Sequence, residues 1–197
     1  KVFIMKRLLL ILILAFSLQS LSKADDITDF QIEGMRIGDS AIDFFTKKDL
    51  KNALDIGVYK SEKFIYYFLE IKNSDTYEFI QIHVKKNDNN FIIHGVEGHI
   101  IYQENINKCY NKMSGAKSDL DKSFSIKSKS DDGKHPTDPT GKSTYSRIMY
   151  KLQNKKGYAE IICYDLSKEM ENKGSYDRFV ISLGTSELLK WLTYEAY

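Results

Sequence analysis

The 197-residue sequence predicts an α+β fold. We expect a single domain built on a largely antiparallel sheet of about six strands, with a central helix and terminal helices packed on one sheet face. Two observations carry this prediction. The β-rich segments form two groups whose members are joined by links of hairpin length, and parallel strands would need longer crossovers. A helical pattern separates the two groups, and another ends the chain.

The predicted strands are segments loaded with Ile, Phe, Tyr and Val. In chain order they cover 64–71, 77–84, 91–102, 145–152, 158–164 and 178–183, after a short strand-like opening at 30–37. The polar runs at 87–90 and 154–157 are typical of turns between paired strands.

The clearest helix has apolar residues three and four positions apart, at Ile106, Cys109, Met113, Ala116, Leu120 and Phe124. Thr185 and Ser186 are suited to cap a terminal helix. Near the start of the chain, Ser40 and Thr46 are each followed three residues later by an aspartate. This capping pattern allows either one straight helix or two short helical turns.

The polar stretch 125–144 contains both prolines and predicts a long loop. Loops of this length inside a domain are often functional, so we expect a binding surface that includes His135, Asp138 and Lys142. These residues with Ser143 do not predict a catalytic triad, because nothing rigid would fix their geometry within one loop.

The run Gly141-Lys142-Ser143 resembles the end of a phosphate-binding loop. That motif requires a glycine five residues before the Gly-Lys pair, and Pro136 stands there. The sequence therefore favours an ordinary glycine turn.

The first 24 residues have the pattern of a secretory signal peptide. Lys6 and Arg7 precede the apolar run 8–16, and Ala24 is a small residue of the type found at cleavage sites. We expect cleavage between Ala24 and Asp25, which leaves 25–197 as a periplasmic or secreted domain with no stable membrane span. An uncleaved anchor is the alternative.

The charges of the chain are nearly balanced, with 29 Lys and Arg against 27 Asp and Glu. This balance gives no support for nucleic-acid binding, which needs a clustered basic surface. No motif in the sequence predicts a bound cofactor.

The two cysteines, Cys109 and Cys163, predict a disulfide in an oxidising compartment. Cys109 lies on the apolar side of the central helix, and Cys163 shares a strand face with Ala159 and Ile161. Free buried thiols are the alternative.

A symmetric hairpin around 87–90 would place His83 opposite His94, on the face away from the Ile-rich side. Two imidazoles so placed could begin a zinc site, although zinc normally has three or four protein ligands. Glu97 and His99 would share this face only if a bulge at Gly95 reversed the alternation. Exposed histidines are the simpler interpretation.

Five stretches of the sequence together carry a resemblance to known proteins. They are 29–40, His135-Pro136, 141–144, 163–165 and Trp191-Leu192. In these stretches the mature chain resembles a group of small exported bacterial proteins of unknown function. Residues 34–45 are also similar to the glycine-turn-helix opening of small outer-membrane assembly lipoproteins, but this chain lacks their lipid-bearing cysteine.

This resemblance implies export and no particular chemistry. We expect a non-catalytic binding or interaction module of the cell envelope, whose partner is an envelope protein or a small ligand. The alternative is a small metal-dependent or hydrolytic periplasmic enzyme that uses His135 or the pair His83 and His94.

Overall fold

One antiparallel sheet organises the residues that the computed structural model describes, which are 26–72, 74–103, 105–135, 137–152 and 157–196. Its eight strands are β1 (Asp55–Val58), β2 (Phe64–Glu70), β3 (Phe79–Lys85), β4 (Ile93–Ile101), β5 (Lys129–Lys134), β6 (Thr144–Lys151), β7 (Tyr158–Asp165) and β8 (Arg178–Gly184). Their order across the sheet is β1-β2-β3-β4-β8-β7-β6-β5.

The sheet consists of two four-stranded meanders that meet where β4 pairs with β8. The α+β class and the antiparallel pairing are confirmed, whereas the predicted number of strands was too low. The two missed strands, β1 and β5, are the edges of the sheet. An edge strand can be short and polar because one of its sides faces solvent, and β5 has the sequence KSDDGK.

Four α-helices accompany the sheet in the described residues. They are α1 (Lys47–Lys51), α2 (Ile106–Ser123), α3 (Lys168–Glu171) and α4 (Ser186–Tyr194). The start of the chain forms two short turns: a 3₁₀ turn at Ala41–Asp43 and then α1, whose Thr46 and Asp49 complete a capping box. Of the two arrangements that the sequence allowed, the structure has the two short turns.

The larger core lies between α2 and one face of the sheet, called here the apolar face. Helix α2 buries Cys109, Met113 and Leu120 against side chains that alternate along the strands. The Cα atoms of Cys109 and Cys163 lie 5.9 Å apart, and a disulfide joins these residues across the interface. This bond links the central helix directly to β7.

Helix α4 packs on the opposite face, so the prediction that the helices share one face was wrong. Leu188 and Trp191 of α4 form a second, smaller core with Phe64 of β2. The helix approaches β4 closely at Gly95, where an added Cβ would collide with Leu188. Glycine at this position therefore lets α4 lie on the sheet.

Two further predictions are corrected. The opening at 30–37 is not a strand, because its only pairing is an isolated bridge between Ile32 and Met35 that closes a turn. The segment 125–144 is not a loop throughout, since β5 occupies Lys129–Lys134.

Two predictions about processing and turns fall outside the described residues. These are the signal peptide with its cleavage after Ala24, and most of the turn at 154–157. In the part of the chain that is described, no helix has both the length and the apolar character needed to span a membrane.

Candidate functional site

The sheet face under α4 carries polar side chains in its centre, and the strand register places them in rows. In the first row Glu97 of β4 and Glu160 of β7 are both direct partners of Ser182 on β8. Gln81 of β3 extends the row as the partner of Glu97. Two partly buried glutamates therefore lie on either side of one buried serine.

The next row towards the other end of β8 joins His99, Val180, Ile162 and Arg147. The row after that pairs Arg178 with Tyr164. All these residues share a face because side chains two positions apart along a strand point the same way.

Together these side chains and one side of α4 enclose a cavity of about 390 Å³, called here the polar cleft. Helix α4 contributes Leu189, Leu192 and Thr193. The sheet and the segment before β2 contribute Tyr59, Gln81, His83, Glu97, His99, Arg147, Glu160, Ile162, Tyr164, Arg178, Val180 and Ser182.

A wider groove of about 1080 Å³ adjoins the polar cleft and shares Gln81, His99 and Arg178 with it. This groove runs over Phe68 and Phe79, whose rings are stacked with centroids 5.2 Å apart. The cleft is therefore reached from the groove along the sheet surface.

Glu97 lies between two histidines. Its Oε2 is 3.2 Å from His99 Nε2, and its Oε1 is 3.9 Å from His83 Nδ1. Burial acts to raise the pKa of Glu97, but the contact with His99 and the charges of His83, His99 and Arg178 outweigh it, so the pKa lies below its ordinary value. Glu97 is thus a carboxylate at neutral pH.

The two histidines are almost completely buried, with His83 1% and His99 5% exposed. Tyr59 Oη is hydrogen-bonded to His83 Nε2 at 3.0 Å. Within the described part of the chain, His83 Nδ1 and both ring nitrogens of His99 lack a partner with hydrogen-bonding geometry. Burial lowers the pKa of His83, which favours the neutral ring.

Glu160 is the second carboxyl group of the cleft. Its Oε2 is 3.9 Å from Arg147 Nη1, which is beyond hydrogen-bonding distance. The Arg147 guanidinium instead donates to both carboxylate oxygens of Asp131, at 2.9 and 2.8 Å. Burial, with the nearby charge of Glu97, raises the pKa of Glu160 to about 7.

Arg178 provides the positive charge at the other end of the cleft. Its guanidinium carbon lies 4.6 Å from the centroid of the Tyr164 ring. Its Nη1 donates to the carbonyl oxygen of Tyr176 at the long distance of 3.5 Å. Because a guanidinium has five N–H donors, Arg178 retains capacity to bind an anionic group.

His83 and His94 do not lie opposite each other, as the symmetric hairpin had predicted. His83 pairs with Gly95, since a bulge makes His94 the extra residue of β4. His94 instead lies beside Phe64, with ring centroids 5.2 Å apart. The prediction that both histidines are solvent-exposed is also wrong, because His83 is buried and His94 is partly buried.

The same bulge reverses the alternation and brings Glu97 and His99 onto the face of His83. Even so, no group of three or more His, Cys, Asp or Glu residues in the described ranges is arranged to hold a metal ion. The arrangement thus gives no support for a metal centre.

The predicted binding loop is anchored at Asp138. This carboxylate accepts hydrogen bonds from Ser143, through its backbone and hydroxyl groups, and from the Ser167 hydroxyl at 3.0 Å. Lys142 pairs with Glu169 at 2.6 Å on the surface, and the His135 ring contacts Tyr164. The predicted residues do lie close together, but their hydrogen bonds close the loop onto β6 and the start of α3.

Glu160 and Arg178 were not among the predicted site residues, and Glu97 and His99 were expected only as conditional ligands. One signal was present: Glu160 interrupts the apolar run from Tyr158 to Cys163. A lone acid inside a strand with apolar neighbours indicates a buried polar position. The partners of Glu160 could not be predicted from the sequence, because they come from strands that are distant in the chain.

Comparison of the chain with protein-family models, with curated proteins and with solved structures finds no match in any of the three. The site must therefore be interpreted from its own geometry.

Proposed function

We propose that this protein is an exported, non-catalytic binding protein that holds a small polar ligand in the polar cleft. The observation that carries the proposal is the pair of buried Nδ1 atoms on His83 and His99 that lack hydrogen-bond partners beside a cavity. Leaving a buried polar group unsatisfied costs about 1–3 kcal/mol. A ligand that hydrogen-bonds to these groups would remove that cost when it binds.

The size and lining of the cleft agree with this role. Ligand pockets commonly enclose about 300–1,000 Å³ and hold a few converging polar groups. The polar cleft lies at the small end of this range. The adjoining groove supplies an entrance beside Arg178 and His99.

Export is the second part of the proposal. It is supported by the signal-peptide pattern of residues 1–24 and by the disulfide between Cys109 and Cys163. Intact-mass measurement of protein recovered from an exporting host tests it. We expect a mature chain that begins at Asp25 and is two hydrogens lighter than the reduced form, whereas full-length, reduced protein would contradict export.

Binding is tested by thermal-shift screening of a library of small polar compounds, followed by calorimetry of the hits. The variant His99→Leu removes the unpartnered Nδ1, and also the Nε2 contact with Glu97, at nearly constant volume. We expect the folded variant to bind at least tenfold more weakly than the wild type. A purely structural histidine would instead leave the affinity of the folded variant unchanged.

His94→Leu is the matched control, because His94 is on the same strand and also has a buried, unpartnered Nδ1, yet it does not line the cleft. This control should retain the wild-type affinity. The proposal fails if no compound stabilises the wild type, or if His99→Leu binds as well as His94→Leu.

One observation favours a second candidate, a hydrolytic enzyme. Glu97 and Glu160 have pKa values displaced in opposite directions, as the acid and base of a hydrolase often do. Mass spectrometry of each hit after incubation separates the two functions. Recovery of the intact compound supports binding, whereas cleavage that is lost in Glu97→Gln would establish the enzyme.

A further inference from the structure

The polar cleft has an acidic end and a basic end. Glu97 and Glu160 flank Ser182 and form the acidic end. Arg178 forms the basic end, four residues from Ser182 on the same strand. At about 3.3 Å per residue this separation is about 13 Å between Cα atoms.

The Glu160 carboxyl group at the acidic end has little compensation from neighbouring cations. Among the described residues, the ion-pair partner of Glu160 is Arg147 at 3.9 Å, and Arg147 is already bound through two hydrogen bonds to Asp131. Glu97 has the two imidazoles beside it, and burial favours the neutral form of His83. A bound cationic group would therefore lie beside two carboxyl groups, of which Glu160 has no hydrogen-bonded cation among the described residues.

At the basic end, much of the hydrogen-bonding capacity of Arg178 is also unused in the described structure. In the described structure, the Arg178 guanidinium donates one long hydrogen bond, to the Tyr176 carbonyl, and its central carbon lies 4.6 Å from the centroid of the Tyr164 ring. A cation–π contact of this kind attracts the guanidinium to the ring and leaves N–H groups able to bind a carboxylate.

Neither end suits a singly charged ligand. An anion bound by Arg178 alone would lie in the field of Glu97, whose charge also acts on Arg178. A cation bound by the glutamates alone would leave the Arg178 charge unpaired in a mostly buried position. A molecule with one charge of each sign satisfies both ends of the cleft.

We propose that the ligand of the polar cleft is a small zwitterion, an amino acid or a short peptide, with its ammonium group against Glu97 and Glu160 and its carboxylate against Arg178. This inference rests on the proposed binding function and adds the chemical class of the ligand. Free amino acids and dipeptides share the required chemistry and differ in the distance between their charges.

Calorimetry on the full mature protein tests the class with matched compounds. The probes are the free amino acids, alanyl-alanine, and the N-acetylated and C-amidated derivatives of the tightest binder. We expect the free zwitterion to bind at least tenfold more tightly than either derivative. The relative affinities of amino acids and dipeptides then decide which of the two sources fits the cleft.

Variants assign each end of the ligand. Arg178→Gln should abolish the preference for a free carboxylate over its amide while the preference for a free ammonium group persists. Glu97→Gln should have the converse effect, and Glu160→Gln provides the same test if Glu97→Gln does not fold. Arg36→Gln and Glu70→Gln alter exposed residues outside the cleft and should keep both preferences.

The outcomes separate the inference from the function on which it rests. If blocked derivatives bind as tightly as the zwitterion, or if another class of polar compound binds and zwitterions do not, the inference is overturned and the binding function stands. If nothing binds, both are overturned.

Discussion

The two faces of the sheet are formed by the same strands but bury different kinds of side chain. Towards α2, side chains such as Ile82, Val96 and Ile161 form a continuous apolar core that is crossed by the disulfide. Towards α4, the intervening positions hold Glu97 and Glu160. Burying apolar surface stabilises a fold, whereas burying carboxyl groups without strong partners costs free energy.

This difference indicates what each face does. The apolar face holds the larger core and the disulfide, and the face under α4 combines a smaller core with charged groups that stability alone would not select. Substitutions on each face test this division.

The largest effect should come from the disulfide on the apolar face. Cys109 and Cys163 are 54 residues apart, and closing a loop of that length stabilises the folded state by about 4 kcal/mol on the chain-entropy model. The double variant Cys109→Ala/Cys163→Ala should lose this amount in urea unfolding. Addition of a reductant should affect the wild type and leave the variant unchanged; equal midpoints for the two proteins would refute the assignment.

The next effect concerns Glu160 on the polar face and depends on pH. The folded state keeps a proton on Glu160 up to a pKa of about 7, whereas the unfolded chain releases it near the ordinary value of 4.5. The contribution of Glu160 to stability is therefore present below pH 4.5 and is lost as the pH rises towards and through 7, by roughly 3 kcal/mol.

The glutamine of Glu160→Gln has no carboxyl proton to lose. The unfolding free energy of this variant should therefore increase relative to that of the wild type as the pH rises from 4 to 8. Comparing the two proteins removes the opposing contributions of His83 and Glu97. A difference that is independent of pH would show that Glu160 titrates normally and would weaken the contrast between the faces.

A smaller effect is expected at the start of α4, the helix that covers the polar face. The Thr185 hydroxyl accepts a hydrogen bond from the Leu188 backbone N–H at 3.1 Å. Thr185→Ala should cost about 1 kcal/mol in urea unfolding. Thr46→Ala removes the equivalent cap of α1 and should cost a similar amount, but only Thr185→Ala should also weaken ligand binding in the cleft.

The smallest effect is expected on the outer surface. Lys142 pairs with Glu169 between exposed side chains, where solvent and salt screen the attraction. Lys142→Ala should leave the unfolding midpoint and ligand binding unchanged. Loss of binding in this variant would return the loop to consideration as the functional surface.

Local patterns predicted the elements that make their own core contacts. The stripe from Ile106 to Phe124 gave α2 within one residue of its observed bounds, and the β-branched and aromatic runs located six strands. The edge strands β1 and β5 were not predicted, since a strand at an edge position needs no apolar pattern. The capping pattern at Thr46 predicted α1 because a helix cap is a local hydrogen bond.

The fold class, the central helix and the interface at which Cys109 and Cys163 meet were predictable from local patterns, because periodicity shows which side of each element is buried. The polar cleft depends on how distant strands pair. Glu97, Glu160 and Ser182 become neighbours through pairing of β8 with both β4 and β7, which no local pattern encodes. The bulge at His94 then sets which residues of β4 face that cleft, because one extra residue reverses the alternation of a strand.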